Sequence, residues 1–241
     1  MKRFALFCMA LLAICAAACS TASLAFAEEK EEGGNPIFLP EMYPITFTGK
    51  AAKGATFETK TIEGKTFKMV CKGEVSSNGE ITSKRLGVMD FTFRLCEEAS
   101  GGTAKCKTAG DVAGTLLLDP EFHLVAFLVN KKLTAGILIL FPKTVVECGL
   151  FKDEYMGKIL GRIPVNQINA KVKSFEVLYE ETNAEQLLKE CELPKVICEP
   201  GGVKAKFKFE GNIVGAGEFK EAGLEMLEYT ITPSKEIEID A

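Results

Sequence analysis

Few residue types in this chain could carry chemistry, and their spacing argues against most of it. His123 is the only histidine among 241 residues. A histidine acting as base needs a nucleophile and an orienting carboxylate, and no G-x-S-x-G elbow is present. His123 is therefore read as a structural or surface side chain. The acid pairs Glu97-Glu98, Glu180-Glu181 and Glu236/Glu238 raise glycoside hydrolysis, which requires two carboxylates facing each other across a cleft. The chain has no Trp to serve as a sugar platform, so these pairs read as solvated surface. No D-x-[DN]-x-[DN]-G calcium loop and no Asn-x-Ser/Thr acceptor occurs. Catalytic, cofactor-binding and metal-binding residues are all expected to be absent.

The cysteines carry the clearest chemistry. Cys8, Cys15 and Cys19 fall in the first 27 residues; Cys71, Cys96, Cys106, Cys148, Cys191 and Cys198 follow. None of the six shows the tight C-x₂₋₄-C spacing of zinc sites. An even number in an exported chain predicts disulfides, with fifteen possible pairings. Cys71 shares the apolar parity of its strand, whereas Cys96 falls on the polar parity of the next. A 71–96 bridge would need a bulge or a strand end between them. The preferred set is 96–106, closing a glycine-rich loop, with 71–148 and 191–198.

A third group is basic. Lys204, Lys206 and Lys208 alternate with Val203, Ala205, Phe207 and Phe209 and form a stripe on one strand face. The stripe suits an acidic polymer, or more simply guards a sheet edge against pairing with another molecule.

Export is read from the first residues. Lys2 and Arg3 precede an apolar run from Phe4 to Ala18, and Ala25-Phe26-Ala27 is a small-x-small cleavage signature. This is the layout of a secretory signal peptide over residues 1–27. A minority reading places a lipid anchor on Cys19, after Ala16-Ala17-Ala18. Residues 28–36, EEKEEGGNP, read as a flexible acidic leader. The leader cut removes two of the 29 basic residues and none of the 33 acidic ones, so the net charge moves from −4 to about −6. Nucleic acid, which needs a basic footprint, is excluded as a partner. No later segment is long and apolar enough to span a membrane as a helix.

The elements that position these residues are strands. Thr66–Val75 and Val88–Cys96 alternate apolar and polar, and Asn78-Gly79 between them is a turn signal. Thr115–Leu118, Leu124–Val129 and Ile137–Phe141 are short apolar runs separated by Asp119-Pro120-Glu121 and Asn130-Lys131-Lys132. They are read as a central meander. The middle run is apolar on both parities, which predicts a strand covered on both faces. Lys171–Glu181 slips parity near Ser174, as a bulge would cause. Asn183–Glu190 is the best helix candidate, with Asn183 as cap. Glu218–Glu228 is compatible with helix or strand.

The stretch Thr59 to Gly149 resembles a group of uncharacterised secreted β-rich proteins of actinobacteria. The residues that carry the likeness are TIEGKTFKMVCKGEVSSNGEIT, FTFRLCEE, AKCKTAGDVAGTLL and VVECG. The resemblance implies export and a β fold, and it brings no assigned activity.

These readings converge on one domain over residues 37–241. It is mainly antiparallel β, a sandwich or partly closed barrel, with one short helix near 184–190. The expected function is a secreted or envelope-associated, non-catalytic β-domain that binds an unknown partner. A carrier of a small apolar ligand in a barrel-like cavity is the alternative, motivated by the doubly apolar 124–129 run. A hydrolase is a distant third.

Overall fold

Alternation along each segment dictates the strands. From Ile45 to Ala51 every second residue is buried, and Leu86–Arg94 repeats the pattern with Met89, Phe91 and Phe93 inward. Such a period suits only a pleated ribbon with one wet face. A computed structural model describes residues 36–40, 42–61, 65–129, 132–182, 185–186, 209–213 and 220–240. Contacts group Gly34–Ala241 as one compact unit.

The strands in the first part of the chain are β1 (Ile37–Leu39), β2 (Ile45–Ala51), β3 (Ala55–Lys60), β4 (Thr66–Cys71), β5 (Val75–Ile81), β6 (Leu86–Arg94), β7 (Cys96–Glu98), β8 (Cys106–Thr108), β9 (Thr115–Leu118) and β10 (Glu121–Val129). There follow β11 (Lys132–Cys148), β12 (Phe151–Arg162), β13 (Lys171–Val172), β14 (Phe175–Tyr179), β15 (Glu181–Thr182), β16 (Glu185–Gln186), β17 (Phe209–Ile213), β18 (Lys220–Pro233) and β19 (Ile237–Asp240). Pairing is antiparallel throughout the main sheet, which curls into two partly ringed halves rather than a regular barrel. In the first half the path runs β18-β2-β5-β6-β10-β11-β12. There β14 returns it to β18, touching β12 through the single pair Arg162↔Leu178. In the second, β18 continues to β3, β4 and β7. The Glu97↔Lys105 bridge leads on to β8, β11 and β12, and β17 links β12 back to β18.

Three long strands pass from one half into the other, and each bends where it crosses. β11 has an irregularity between Phe141 and Thr144. Gly157, opposite Phe141 on β12, takes φ 117°, and Glu228 on β18 takes φ 58°. Bulges and left-handed residues bend a strand sharply without ending its pairing. The first half is filled by Phe47, Phe91, Phe122, Phe175, Tyr179 and Tyr229, all buried. Both faces of the β10–β11–β12 sheet are covered: Phe122 and Leu124 face the core, and Val125, Phe127, Leu138 and Leu160 on the other face are at most 3% exposed. The mainly β, partly ringed architecture and the doubly covered strand are thus present as expected.

Several local expectations fail for identifiable reasons. Asn78-Gly79 lies inside β5 rather than in a turn; a Cβ on Gly79 would meet the Phe47 ring at 2.4 Å, so this glycine serves close packing. β9 pairs with β6, not with β10, so the meander is β10-β11-β12. Glu218–Glu228 resolves to strand in its described part, 220–228. The expected helix is not formed where the structure describes it. Glu185-Gln186 pairs with Glu181-Thr182 as a short ribbon, because the hairpin satisfies main-chain groups that a lone helical turn would leave open. Residues 183–184 and 187–190 lie outside the described residues. Among those described, the one helical turn is the 3-10 segment Val165–Gln167.

The disulfides differ from the preferred set. Cys71 bonds Cys96 and Cys106 bonds Cys148. The strand break that a 71–96 bridge requires is Leu95, at φ 53° and exposed. This one left-handed residue separates β6 from β7, reverses the parity and turns Cys96 inward, directly opposite Cys71. Cys106 stands directly opposite Cys148 in the same way. The Gly114 main chain lies between Cys96 and Cys106: Cys96 N–H donates to Gly114 O and Gly114 N–H donates to Cys106 O. Cys191, Cys198, Cys19, the signal segment and residues 28–35 lie outside the described residues.

Candidate functional site

An open groove of about 930 Å³ crosses the outer face of the first half. It is built from two transverse rows of outward side chains. Register places Thr46, Glu80, Val88 and Glu121 side by side on β2, β5, β6 and β10. The adjacent row is Thr232, Thr48, Asn78 and Asp90, on β18, β2, β5 and β6. Phe47, Gly79 and Met89 form the floor between the rows.

The walls are loops tied to the sheet by main-chain bonds. Met89 N–H donates to Pro120 O at 3.1 Å, which fixes the Asp119-Pro120 corner where β6 changes partner from β10 to β9. Ser234 N–H donates to Thr46 O at 2.8 Å and fixes the opposite wall. Asn78 N–H donates to Asp90 Oδ1 at 2.6 Å. Glu80, Asp90, Asp119 and Glu121 bring four carboxylates to a lining that contains no Lys or Arg. With the threonine and serine hydroxyls and the Asn78 amide, they can accept hydrogen bonds from amino or hydroxyl groups of a ligand. Val88 stands between Glu80 and Glu121, which are therefore two strand spacings apart, roughly 9–10 Å by backbone geometry.

The other candidates are dispersed. His123 lies half-buried on the outer face of β10, paired with Leu86 and Leu138, and does not line the groove. Burial, and next the charge of Lys158, holds its imidazole below the usual histidine range. Glu97 is engaged by Lys72 and Lys105, whose hydrogen bonds keep its carboxyl below the usual range. Glu98 leans on Gly102, and Glu180 lies 3.8 Å from Arg162. Glu236 is exposed, and Glu238 pairs with Leu39 and Lys171 across strands. Cys71, Cys96, Cys106 and Cys148 are buried in disulfides. Lys204, Lys206 and Lys208 lie outside the described residues.

Two polar clusters sit inside the halves. In the second half the Thr59 hydroxyl oxygen lies 3.3 Å from Asp153 Oδ2 and 3.2 Å from the Tyr155 oxygen, within hydrogen-bond reach of both, and all three residues are buried. Burial first, and then the Asp153 charge, pushes the Tyr155 phenol well above its ordinary value. In the first half the Ser77 and Tyr229 hydroxyls share a hydrogen bond. Neither cluster lines the groove. Among the described residues, no group of three or more His, Cys, Asp or Glu is placed to hold a metal ion. No helix there is long and apolar enough to cross a membrane.

Sequence reasoning missed the groove because it sought acids adjacent in the chain. Glu80, Asp90 and Glu121 become neighbours only through pairing of three strands. The available signal is confined to Asp90, on the polar parity of the Val88–Cys96 strand; Glu80 follows a supposed turn and Glu121 falls within one. Comparison with family models, with curated proteins and with solved structures finds no match to this chain.

Proposed function

We propose that this chain is an exported, non-catalytic β module that binds a partner on the outer face of its sheet. The groove of two cross-strand rows is the observation that carries this reading. Its polar groups sit on paired strands, which hold a recognition surface more accurately than loops do. The lining is rich in acceptors, so it fits a ligand that presents amino or hydroxyl groups. Two buried disulfides and the signal layout support an extracellular or envelope location.

A carrier of an apolar ligand draws no support from the described interior, where aromatic rings fill the first half. The hydrolase reading would use Glu80 and Glu121 across Val88, a spacing open to inverting chemistry, and the turnover arm of the test below decides it.

The test uses a glycan array that includes amino sugars, together with a polylysine column. The reading expects retention on at least one of them, and loss of it in Glu80→Lys/Glu121→Lys with both disulfides intact. Failure to bind either probe, or turnover of any arrayed glycan, would overturn it.

A further inference from the structure

Two uncharged loops meet at one end of the second half. Residues 99–104, ASGGTA, form the uncharged part of the connection from β7 to β8, which Lys105 completes. Gly149, Leu150 and Phe151 turn β11 into β12. A Cβ on Gly149 would lie 3.0 Å from the Ala104 Cβ, so this turn adjoins the Ala104 end of that loop. Leu150 is fully exposed and Phe151 is 54% exposed. Isolated apolar side chains on a surface need no explanation. Here a Leu-Phe pair crowns a hairpin whose base is fixed, since Cys148 is opposite Phe151 on one side and bonded to Cys106 on the other. The pair cannot fold back onto the core without breaking that register.

A belt of lysines lies directly behind the tip. Lys105 follows Ala104, Lys107 follows Cys106, and Lys152 follows Phe151. Glu97 is shared by Lys72 and Lys105, and Glu147 by Lys107 and Lys152. Four lysines thus surround two carboxylates. The lysine side chains are 35–63% exposed and the two carboxylates 17% and 25%, so the outermost charge of the belt is positive. Glu98 also lies beside this loop, its carboxylate against Gly102.

Apolar tips followed by long cationic side chains match the layering of a bilayer surface, with acyl chains deepest and phosphates above them. Each lysine can exchange its carboxylate partner for a lipid phosphate. We propose that residues 99–104 and 149–151 are a docking tip for a bilayer bearing anionic headgroups. With one Leu and one Phe inserted, the attachment is reversible, and it weakens as salt screens the belt. The idea rests on the reading of an exported binding module, and deepens it by naming a surface to which the module attaches.

The chain contains no Trp, so Leu150→Trp supplies a lone indole at the tip. Val112→Trp, on the exposed turn between β8 and β9, is the comparison. Each variant of the oxidised full chain is titrated with phosphatidylcholine vesicles, with and without phosphatidylglycerol. The Leu150→Trp emission should move to shorter wavelength with the anionic vesicles, and the Val112→Trp emission should stay water-like. Vesicle affinity should fall about tenfold or more in Leu150→Ser/Phe151→Ser, given the loss of most of the inserted apolar surface. No shift with anionic vesicles, an equal shift at both positions, or unchanged affinity in the serine variant would each overturn the proposal. Glu80→Lys/Glu121→Lys should leave the Leu150→Trp shift in place, so the groove and the tip can fail separately.

Discussion

Tyr229 lays its hydroxyl directly over Gly49: a Cβ at residue 49 would lie 2.1 Å from the phenol oxygen and 2.5 Å from the Ser77 hydroxyl. The glycine is there because β2 must pass beneath a buried hydrogen-bonded pair, not because its backbone is unusual. Gly49→Ala should therefore destabilise the chain by about 2–3 kcal/mol, the upper range for overpacking, as the Tyr229 ring is displaced. Urea unfolding should show a lower midpoint at an unchanged slope. A neutral substitution would mean that the first half is packed less tightly than the structure has it.

Tyr179 packs against Tyr229 with ring centroids 6.4 Å apart, but its hydroxyl is buried without a hydrogen-bond partner. An unsatisfied buried donor costs about 1–3 kcal/mol. Tyr179→Phe should accordingly raise stability by about 1 kcal/mol. Tyr229→Phe should lower it by a similar amount, because the Ser77 hydroxyl would then lose its partner. Opposite signs for two neighbouring, chemically identical substitutions make the comparison sharp. Loss of stability in Tyr179→Phe would indicate a water held by that hydroxyl.

Leu95 and the disulfides give a covalent prediction. A non-reducing peptide map should return 71–96 and 106–148. The bridges close separations of 25 and 42 residues, so the chain-entropy account assigns them about 3.5 and about 4 kcal/mol. Leu95→Gly should leave the map unchanged and stabilise by about 1 kcal/mol, since glycine adopts φ 53° without a Cβ penalty and Leu95 is exposed.

Leu95 also shows where reading the sequence reaches its end. The alternation of β2 and β6 is visible in one dimension because one face of each is wet. The covered β10 is visible because Val125 and Phe127 are apolar on the parity that solvent would otherwise claim. A leucine with positive φ leaves no such mark, so the parity rule put Cys96 on the wrong face and the disulfides went wrong with it. Gly79 misled in the opposite direction: its turn-like neighbour Asn78 concealed a packing role that depends on Phe47, distant in sequence. The groove was hidden for the same reason, since its rows exist only after β2, β5, β6, β10 and β18 have paired.

Alkaline pH should unfold the chain in a way its tyrosines report. Tyr155, Tyr179 and Tyr229 are buried, and burial raises all three phenols above the ordinary value of 10.0. In the unfolded chain they would lose protons near that ordinary value. Below pH 10 both states keep the phenolic protons, and the stability of the folded state is fully present. Above it the unfolded state binds fewer protons, so stability falls as pH rises toward the folded-state values. Each group contributes a slope of up to about 1.4 kcal/mol per pH unit, so three together reach about 4 kcal/mol per unit. Urea midpoints measured from pH 8 to pH 11 should be level at first and then drop steeply. Phenolate absorbance from these three of the four tyrosines should appear together with loss of the β-sheet signal. Ionisation of all three in a chain that keeps its sheet spectrum would show that the interiors of both halves are open to water.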